Sequence, residues 1–313
     1  MKADRDLIII GAGAAGLTAA QYAARANLAP LLLEELASGG QALLIDRLEN
    51  YPGFPEAIPG TELSRLFEEQ AARFGTEVQY TGAQSVTQSD GVFTVHTDNG
   101  PLTCLAVILA TGAKHRTLDV PGEKEFTGKG VSYCATCDGP FFKGKPMLVV
   151  GGGDAACDES AFLAHLSDSV LMVHRRERLR AQRALAERTL RNPHIRVRFN
   201  TELQEIRGSA KVEEVALLDN KTGSTFAEKT AAVFVFVGSL PQTRVVEGLG
   251  VKLDEAGYIQ TDQRMQTSVR GLFAVGDVRA TPFRQLVVAA GEGAVAAHAA
   301  AQYIDELKGD AYR

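Results

Sequence analysis

An α/β fold with two domains, the second inserted into the first, is what the sequence predicts, on three observations. The chain holds two copies of a strand, glycine turn, helix, strand pattern. The copies share one register, since Gly11 to Glu34 and Gly151 to His174 are both 23 positions. After the second copy come a strand-like run ending in Gly-Asp and a long alanine-rich helix, which divides the first domain between the two ends of the chain.

In chain order, the apolar residues 7–10 read as a buried strand, followed by Gly11, Gly13 and Gly16, a helix over 17–26 and a strand over 30–33. The second copy has a strand over 147–150, then Gly151, Gly152 and Gly153, a helix over 155–166 and a strand over 169–173. Three more apolar runs end in glycine, at 105–112, 231–238 and 271–277, and read as buried strands whose C-terminal ends face a ligand crevice. Residues 285–307 have helical composition and form the last major element. The expected domains are 1–115 with 246–313, and 116–245 between them. Both are Rossmann-like dinucleotide-binding folds.

Composition narrows the function. The 313 residues suit two domains, and 45% hydrophobic with 23% charged residues suits a globular protein with a sizeable core. The 33 Lys and Arg against 38 Asp and Glu leave a net charge of −5, with no general attraction to nucleic acid or a membrane surface. Four cysteines are too few for a secreted disulfide framework and point to a reducing, cytoplasmic compartment. Lys2 and Arg5 give the N-terminus the look of a signal peptide, but Asp4, Asp6 and an apolar run of only four residues before glycine argue against one.

The GAGAAG turn (Gly11, Gly13, Ala14, Ala15, Gly16) has the spacing that brings backbone N–H groups and a helix N-terminus against a pyrophosphate. Glu34, at the end of the second strand, can accept hydrogen bonds from a ribose 2′-hydroxyl and would repel a 2′-phosphate; Glu35 points to the other side of the strand. The first turn therefore expects FAD or NAD. At the matching place the second copy reads His174, Arg175, Arg176, Glu177, Arg178, Leu179, Arg180, a guanidinium cluster suited to a 2′-phosphate and hence to NADPH. A solvated basic helix start is the plainer alternative.

Cys134 and Cys137 form a Cys-x-x-Cys pair followed by Asp138. Half of a zinc site is one reading, but Cys104 and Cys157 are not spaced to complete it, and no metal is expected. A redox dithiol suits a chain with two dinucleotide turns, with Asp138 moving a proton or serving as a turn residue before Gly139. Cys104 and Cys157 read as buried small hydrophobes. No G-x-S-x-G elbow supports a hydrolase.

Over nearly its whole length the chain resembles the low-molecular-weight thioredoxin reductases, FAD enzymes of the flavoprotein disulfide reductase class. The resemblance rests on GAGAAG, GGQ at 39–41, ENYPGFP at 49–55, ATG at 110–112, CATCDG at 134–139, GGGDAA at 151–156, HRRERLR at 174–180 and GDVRATPFRQ at 276–285, in the family's order. It implies that FAD is held by the first turn with Glu34, Gly40, Gln41, Asn50, Thr111, Gly112, Gly276, Asp277, Arg284, Gln285 and Leu286, where Asp277 binds the ribityl chain. It implies that NADPH is held by Gly151, Gly153, Asp154, Ala155, His174, Arg175, Arg176, Arg180 and Gly238. Cys137 would lie against the flavin, Cys134 would attack the disulfide of thioredoxin or a similar small redox protein, and Asp138 would be the acid/base. A homodimer and a rotating inserted domain, hinged near 115 and 246, also follow from the resemblance. Ala14, Gln242 and Glu292 depart from the proline, asparagine and aspartate common in the family. A ferredoxin-linked reductase or an oxygen-using dithiol oxidase would share the fold but not the intact NADPH motifs, and a nucleotide sensor would not need the cysteine pair.

Overall fold

The computed structural model describes residues 3–45, 48 and 50–309, the side chains of Leu44, Thr136 and Cys137 excepted. Two compact units are present, Met1–Lys114 with Leu240–Arg313, and His115–Ser239. Gln242 N–H donates to the Gly112 carbonyl within the first, and Arg116 N–H to the Gly238 carbonyl within the second.

In the first unit the sheet order is Glu77–Tyr80, Pro30–Glu34, Arg5–Ile10, Gly100–Leu109, Val92–Thr97, Ala83–Ser89, and Leu272–Ala274 also pairs with Gly100–Leu109. The strands from Glu77–Tyr80 to Gly100–Leu109, and Leu272–Ala274, pair in parallel; the last two form an antiparallel hairpin. Arg5–Ile10 is buried on both faces, which is why residues 7–10 are all apolar: Leu7 and Ile9 enter the cluster under the helices, Ile8 and Ile10 the opposite one. Truncating such a side chain to alanine costs about 2–5 kcal/mol. The helices Ala14–Arg25 and Leu286–Lys308 cover the first face. They come close because their contacts are small, and a Cβ at Gly293 would stand 2.2 Å from the Ala15 carbonyl oxygen.

In the second unit five parallel strands run in the order Ile195–Phe199, Val170–His174, Met147–Gly151, Ala232–Phe236, Val131–Ser132. Met147 and Val149 pack towards the helix Asp154–Leu166, which contributes Ala156, Cys157 and Leu163 to the same cluster. Leu148 and Val150 face an antiparallel three-stranded sheet of Thr201–Gly208, Val212–Asp219 and Thr225–Lys229, which supplies Leu203, Ile206, Val215 and Leu217. Among the described residues no helix is long and apolar enough to cross a membrane.

Candidate active site

At the first glycine turn each glycine meets a different constraint. Gly11 has φ +102°, and a Cβ there would lie 2.4 Å from the Ala110 carbonyl oxygen. A Cβ on Gly16 would lie 1.8 Å from the Gly11 carbonyl oxygen, so the helix can begin this close to the strand only with glycine. Gly13 has nothing within 4 Å of that position and faces open space. It is the N-cap of Ala14–Arg25 and supplies no side-chain cap, so the N–H groups of the first turn remain available to an anion. The helix starts at Ala14 rather than at 17, which places Ala14 and Ala15 in its first turn.

The Glu34 carboxylate turns back onto this loop. Its Oε2 accepts Ala12 N–H at 2.8 Å and its Oε1 accepts Leu36 N–H at 3.0 Å. Each oxygen keeps a lone pair for a ribose hydroxyl. Beside it, Gly39 N–H donates to the Ala12 carbonyl, a Cβ on Gly40 would stand 3.2 Å from the Gly13 Cα, and the Gln41 amide donates to the Ala113 carbonyl at 2.8 Å. Thr111 Oγ1 donates to the Gln242 carbonyl at 2.7 Å, next to Gly112. Glu49 of the ENYPGFP segment lies outside the described residues.

The far end of the strand Leu272–Ala274 leads into the turn Gly276–Val278, which carries Asp277. The turn is pinned by Glu292, 8% exposed, whose Oε2 accepts Gly276 N–H at 2.7 Å and whose Oε1 pairs with Arg279. Arg279 also donates to Thr261 Oγ1 at 2.8 Å. Burial pushes the Asp277 carboxyl above its ordinary range, with Arg284 acting in the opposite direction and Glu292 adding to the rise. Arg284 stacks over the Tyr258 ring at 4.0 Å. Gln285 caps the helix that opens at Leu286, again without a side-chain cap, and accepts the Asn50 amide at 2.9 Å. The first unit thus gathers every residue assigned to FAD by sequence. An open glycine cradle at a free helix N-terminus with a carboxylate beside it fits an adenine dinucleotide.

The second turn repeats the plan with other side chains. Gly153 has open space where Gly13 does, and caps Asp154–Leu166 without a side chain. Ala156 takes the place of Gly16, fully buried. A Cβ on Gly152 would stand 2.4–2.6 Å from the His174 ring, so the imidazole lies on bare backbone. His174 is 8% exposed and its Nε2 has no hydrogen-bond partner among the described residues. Burial and then Arg176 and Arg175 hold its pKa below the ordinary 6.5. The arginine loop folds back over this corner through Arg180 N–H to the Gly152 carbonyl at 2.6 Å. Arg175, Arg176, Arg178 and Arg180 are exposed, and among the described residues none is ion-paired to a carboxylate. Asp154 holds the loop's exit, accepting Gln182 N–H at 2.6 Å and its side-chain amide at 3.0 Å, next to Ala155. Gly238, with φ +113° and open space at its Cβ position, follows the strand Ala232–Phe236. Four free guanidinium groups at the end of the second strand fit a nicotinamide dinucleotide with a 2′-phosphate.

In the same unit Cys134 is half-buried and disulfide-bonded, while Cys104 in the first unit and Cys157 in this one are free and buried. Burial pushes the Cys104 thiol up to about 12 and raises that of Cys157 as well, which makes both poor nucleophiles. Cys137 belongs to the short helix Ala135–Asp138, and its side chain lies outside the described residues. Asp138 N–H donates to the Cys134 carbonyl at 3.2 Å. Ser132 brackets Cys134, with its Oγ accepting Cys134 N–H at 3.0 Å and donating to the Cys134 carbonyl at 3.1 Å. Among the described residues no group of three or more His, Cys, Asp or Glu side chains is placed to hold a metal.

Sequence reading missed the buried carboxylate of Glu123 and the roles of Ser132, Tyr133, Gly152 and Gln182, and noted Glu292 only as a departure from the family's aspartate without its part in the turn. Gly152 left a trace as the extra glycine that the second turn has and the first lacks.

Residues 5–294 match the family model of the pyridine nucleotide-disulphide oxidoreductases. The chain is 55% identical to the thioredoxin reductase of Treponema pallidum (strain Nichols), over 98% of this chain and 100% of that one. It is 45% identical to the thioredoxin reductase of Bacillus subtilis (strain 168), over 97% and 96%. Its structure is similar to that of Lactococcus lactis thioredoxin reductase, with a TM-score of 0.90, 40% identity, and 97% and 100% of the two chains covered.

Proposed function

As the chain belongs to the pyridine nucleotide-disulphide oxidoreductase family, among its thioredoxin reductases, we propose that it reduces the disulfide of thioredoxin, or of a similar small redox protein, with electrons from NADPH. It is an oxidoreductase. The observation that carries the reading is the disulfide at Cys134, in a chain whose Cys104 and Cys157 are free and buried.

The first unit binds FAD and the second binds NADPH, with the domains taken as 1–115 with 246–313 and 116–245. The two compact units, which meet along the chain at 114–115 and 239–240, support a split first domain of this kind. When bound, NADPH supplies a hydride to the flavin, and the flavin supplies two electrons to the Cys134–Cys137 disulfide. The Cys134 thiolate then attacks the partner's disulfide, forming a mixed disulfide and expelling one partner thiolate. Cys137 attacks Cys134 of that mixed disulfide, which restores the internal disulfide and releases the partner as a dithiol. Asp138 takes and returns the proton that the two thiols exchange. Glu34 would hold the ribose of FAD and Asp277 its ribityl chain, and the helix N-terminus at Leu286 would offer the positive end of its dipole to negative charge on the cofactor. Arg175, Arg176 and Arg180 select NADPH over NADH. The two crossings act as hinges for the second unit. The enzyme works as a homodimer in the cytoplasm, and the buried free thiols Cys104 and Cys157 suit a reducing compartment.

Replacing Cys137 by serine tests the reading. NADPH still bleaches the flavin of Cys137→Ser, but thioredoxin reduction stops; full turnover would remove the dithiol from the reaction.

A further inference from the structure

We propose that Glu123 is a positioning residue for the redox turn, holding Tyr133, the residue before Cys134, in register with the segment that opens the second unit. The inference rests on the reading of Cys134 and Cys137 as the exchanging dithiol.

Glu123 is a glutamate only 3% exposed, and among the described residues no Lys, Arg or His is ion-paired with it. Its charge is met by four hydrogen bonds instead. Oε1 and Oε2 share Leu118 N–H at 3.0 Å, Oε2 accepts Asp119 N–H at 2.7 Å, and Oε1 accepts the Tyr133 hydroxyl at 2.9 Å. Asp119 has φ +57°, a conformation that a side-chain-bearing residue holds only when its surroundings impose it. The carboxylate therefore ties two chain segments: residues 118–119, which follow the unit's first residue His115, and Tyr133. The Tyr133 ring is also stacked on His115, with centroids 6.1 Å apart and planes 15° from parallel.

Cys134 is thus held from two directions. Ser132 fixes its backbone N–H and carbonyl, and Tyr133 fixes the chain just ahead of it. Burial and the Glu123 carboxylate push the Tyr133 phenol up to about 12, so it stays a donor across the neutral range. Packing alone would need only a phenyl ring at 133. The hydroxyl is the part that reports to Glu123.

The test uses the FAD-loaded enzyme as wild type, Tyr133→Phe and Glu123→Gln, followed by stopped-flow without oxygen in two halves: flavin reduction by NADPH, and reoxidation by thioredoxin disulfide. Tyr133→Phe, which removes one oxygen atom, is expected to slow reoxidation about tenfold, the effect of losing one charge-assisted hydrogen bond, with flavin reduction unchanged. Its dithiol–disulfide equilibrium against glutathione is expected to shift in the same variant. Glu123→Gln is expected to follow it with a larger effect if it folds, and Tyr133→Phe decides if it does not. Unchanged reoxidation and equilibrium in Tyr133→Phe, or an equal loss in both halves, would overturn the inference. A wild type that is not reoxidised by the disulfide would instead overturn the functional reading, and this inference with it.

Discussion

Twenty-three residues after its first glycine, one turn ends in the carboxylate of Glu34 and the other in the imidazole of His174. The surroundings differ to match. Glu34 draws the backbone N–H of Ala12 onto itself, whereas His174 lies against Gly152, the residue in the same place as Ala12. A carboxylate takes up the loop's donor directly, while the bulkier ring fits only where the loop carries no Cβ. The outward chemistry then diverges: one corner is acidic, the other is ringed by four exposed arginines. Two copies of one backbone plan are specialised by a few side chains at the end of the second strand.

The largest effect should come from the helix start. Gly16→Ala would push a methyl group into the Gly11 carbonyl and is expected to destabilise the first unit by about 3 kcal/mol or more, read as a lower melting temperature of the apoprotein. The reverse change in the second copy, Ala156→Gly, is expected to cost only about 1 kcal/mol, since it removes a buried methyl and loosens a helix. Equal costs would mean that the close approach to the Gly11 carbonyl does not set the first turn apart from the second.

Next comes dinucleotide choice. Arg175→Ala with Arg176→Ala is expected to weaken NADPH about 100-fold, from the loss of charge-assisted bonds to phosphate, with NADH affinity nearly unchanged. An unaltered NADPH to NADH ratio would leave the second corner without its assigned ligand.

A smaller change is expected for Gly13→Ala, where the Cβ meets nothing within 4 Å. The fold should survive and FAD should bind about tenfold more weakly, as the methyl group stands in the pyrophosphate's place. Retained FAD affinity by fluorescence titration would move the cradle elsewhere.

The smallest is a pH effect. The folded-state pKa of His174 lies below its ordinary 6.5, so protonation favours the unfolded chain. Its contribution to stability is full above pH 6.5 and is lost as the pH falls through the folded-state value. Denaturant midpoints between pH 7.5 and 5 should therefore drop less in His174→Gln than in wild type. The same slope in both would show that the ring on Gly152 is not held neutral.

The two βαβ units were legible because their signals are local: glycine spacing, four-residue apolar runs and a carboxylate or arginines at a fixed distance. Ends of elements were less so. The strand read over 105–112 is Gly100–Leu109, since its start, residues 100–103, is not fully buried and lacks a continuous apolar run, and residues 110–112 lie beyond its end. That over 271–277 shortens to Leu272–Ala274, because Gly276 turns the chain for Asp277. The sheet of Thr201–Gly208, Val212–Asp219 and Thr225–Lys229 gave little sign, as its strands have one wet face and carry many charges. Nothing in the sequence marks Glu123, and Glu292 stands out only as a departure from the family's aspartate. Only the fold brings Leu118, Asp119 and Tyr133 to the first, and Gly276 and Arg279 to the second.

Electron flow from NADPH to thioredoxin is read in the visible spectrum of the purified protein, without oxygen, as one equivalent of NADPH and then thioredoxin disulfide are added. A yellow protein that bleaches with NADPH and regains its colour with thioredoxin is the predicted result. A flavin that ignores NADPH, or that stays bleached when the disulfide is supplied, would contradict it.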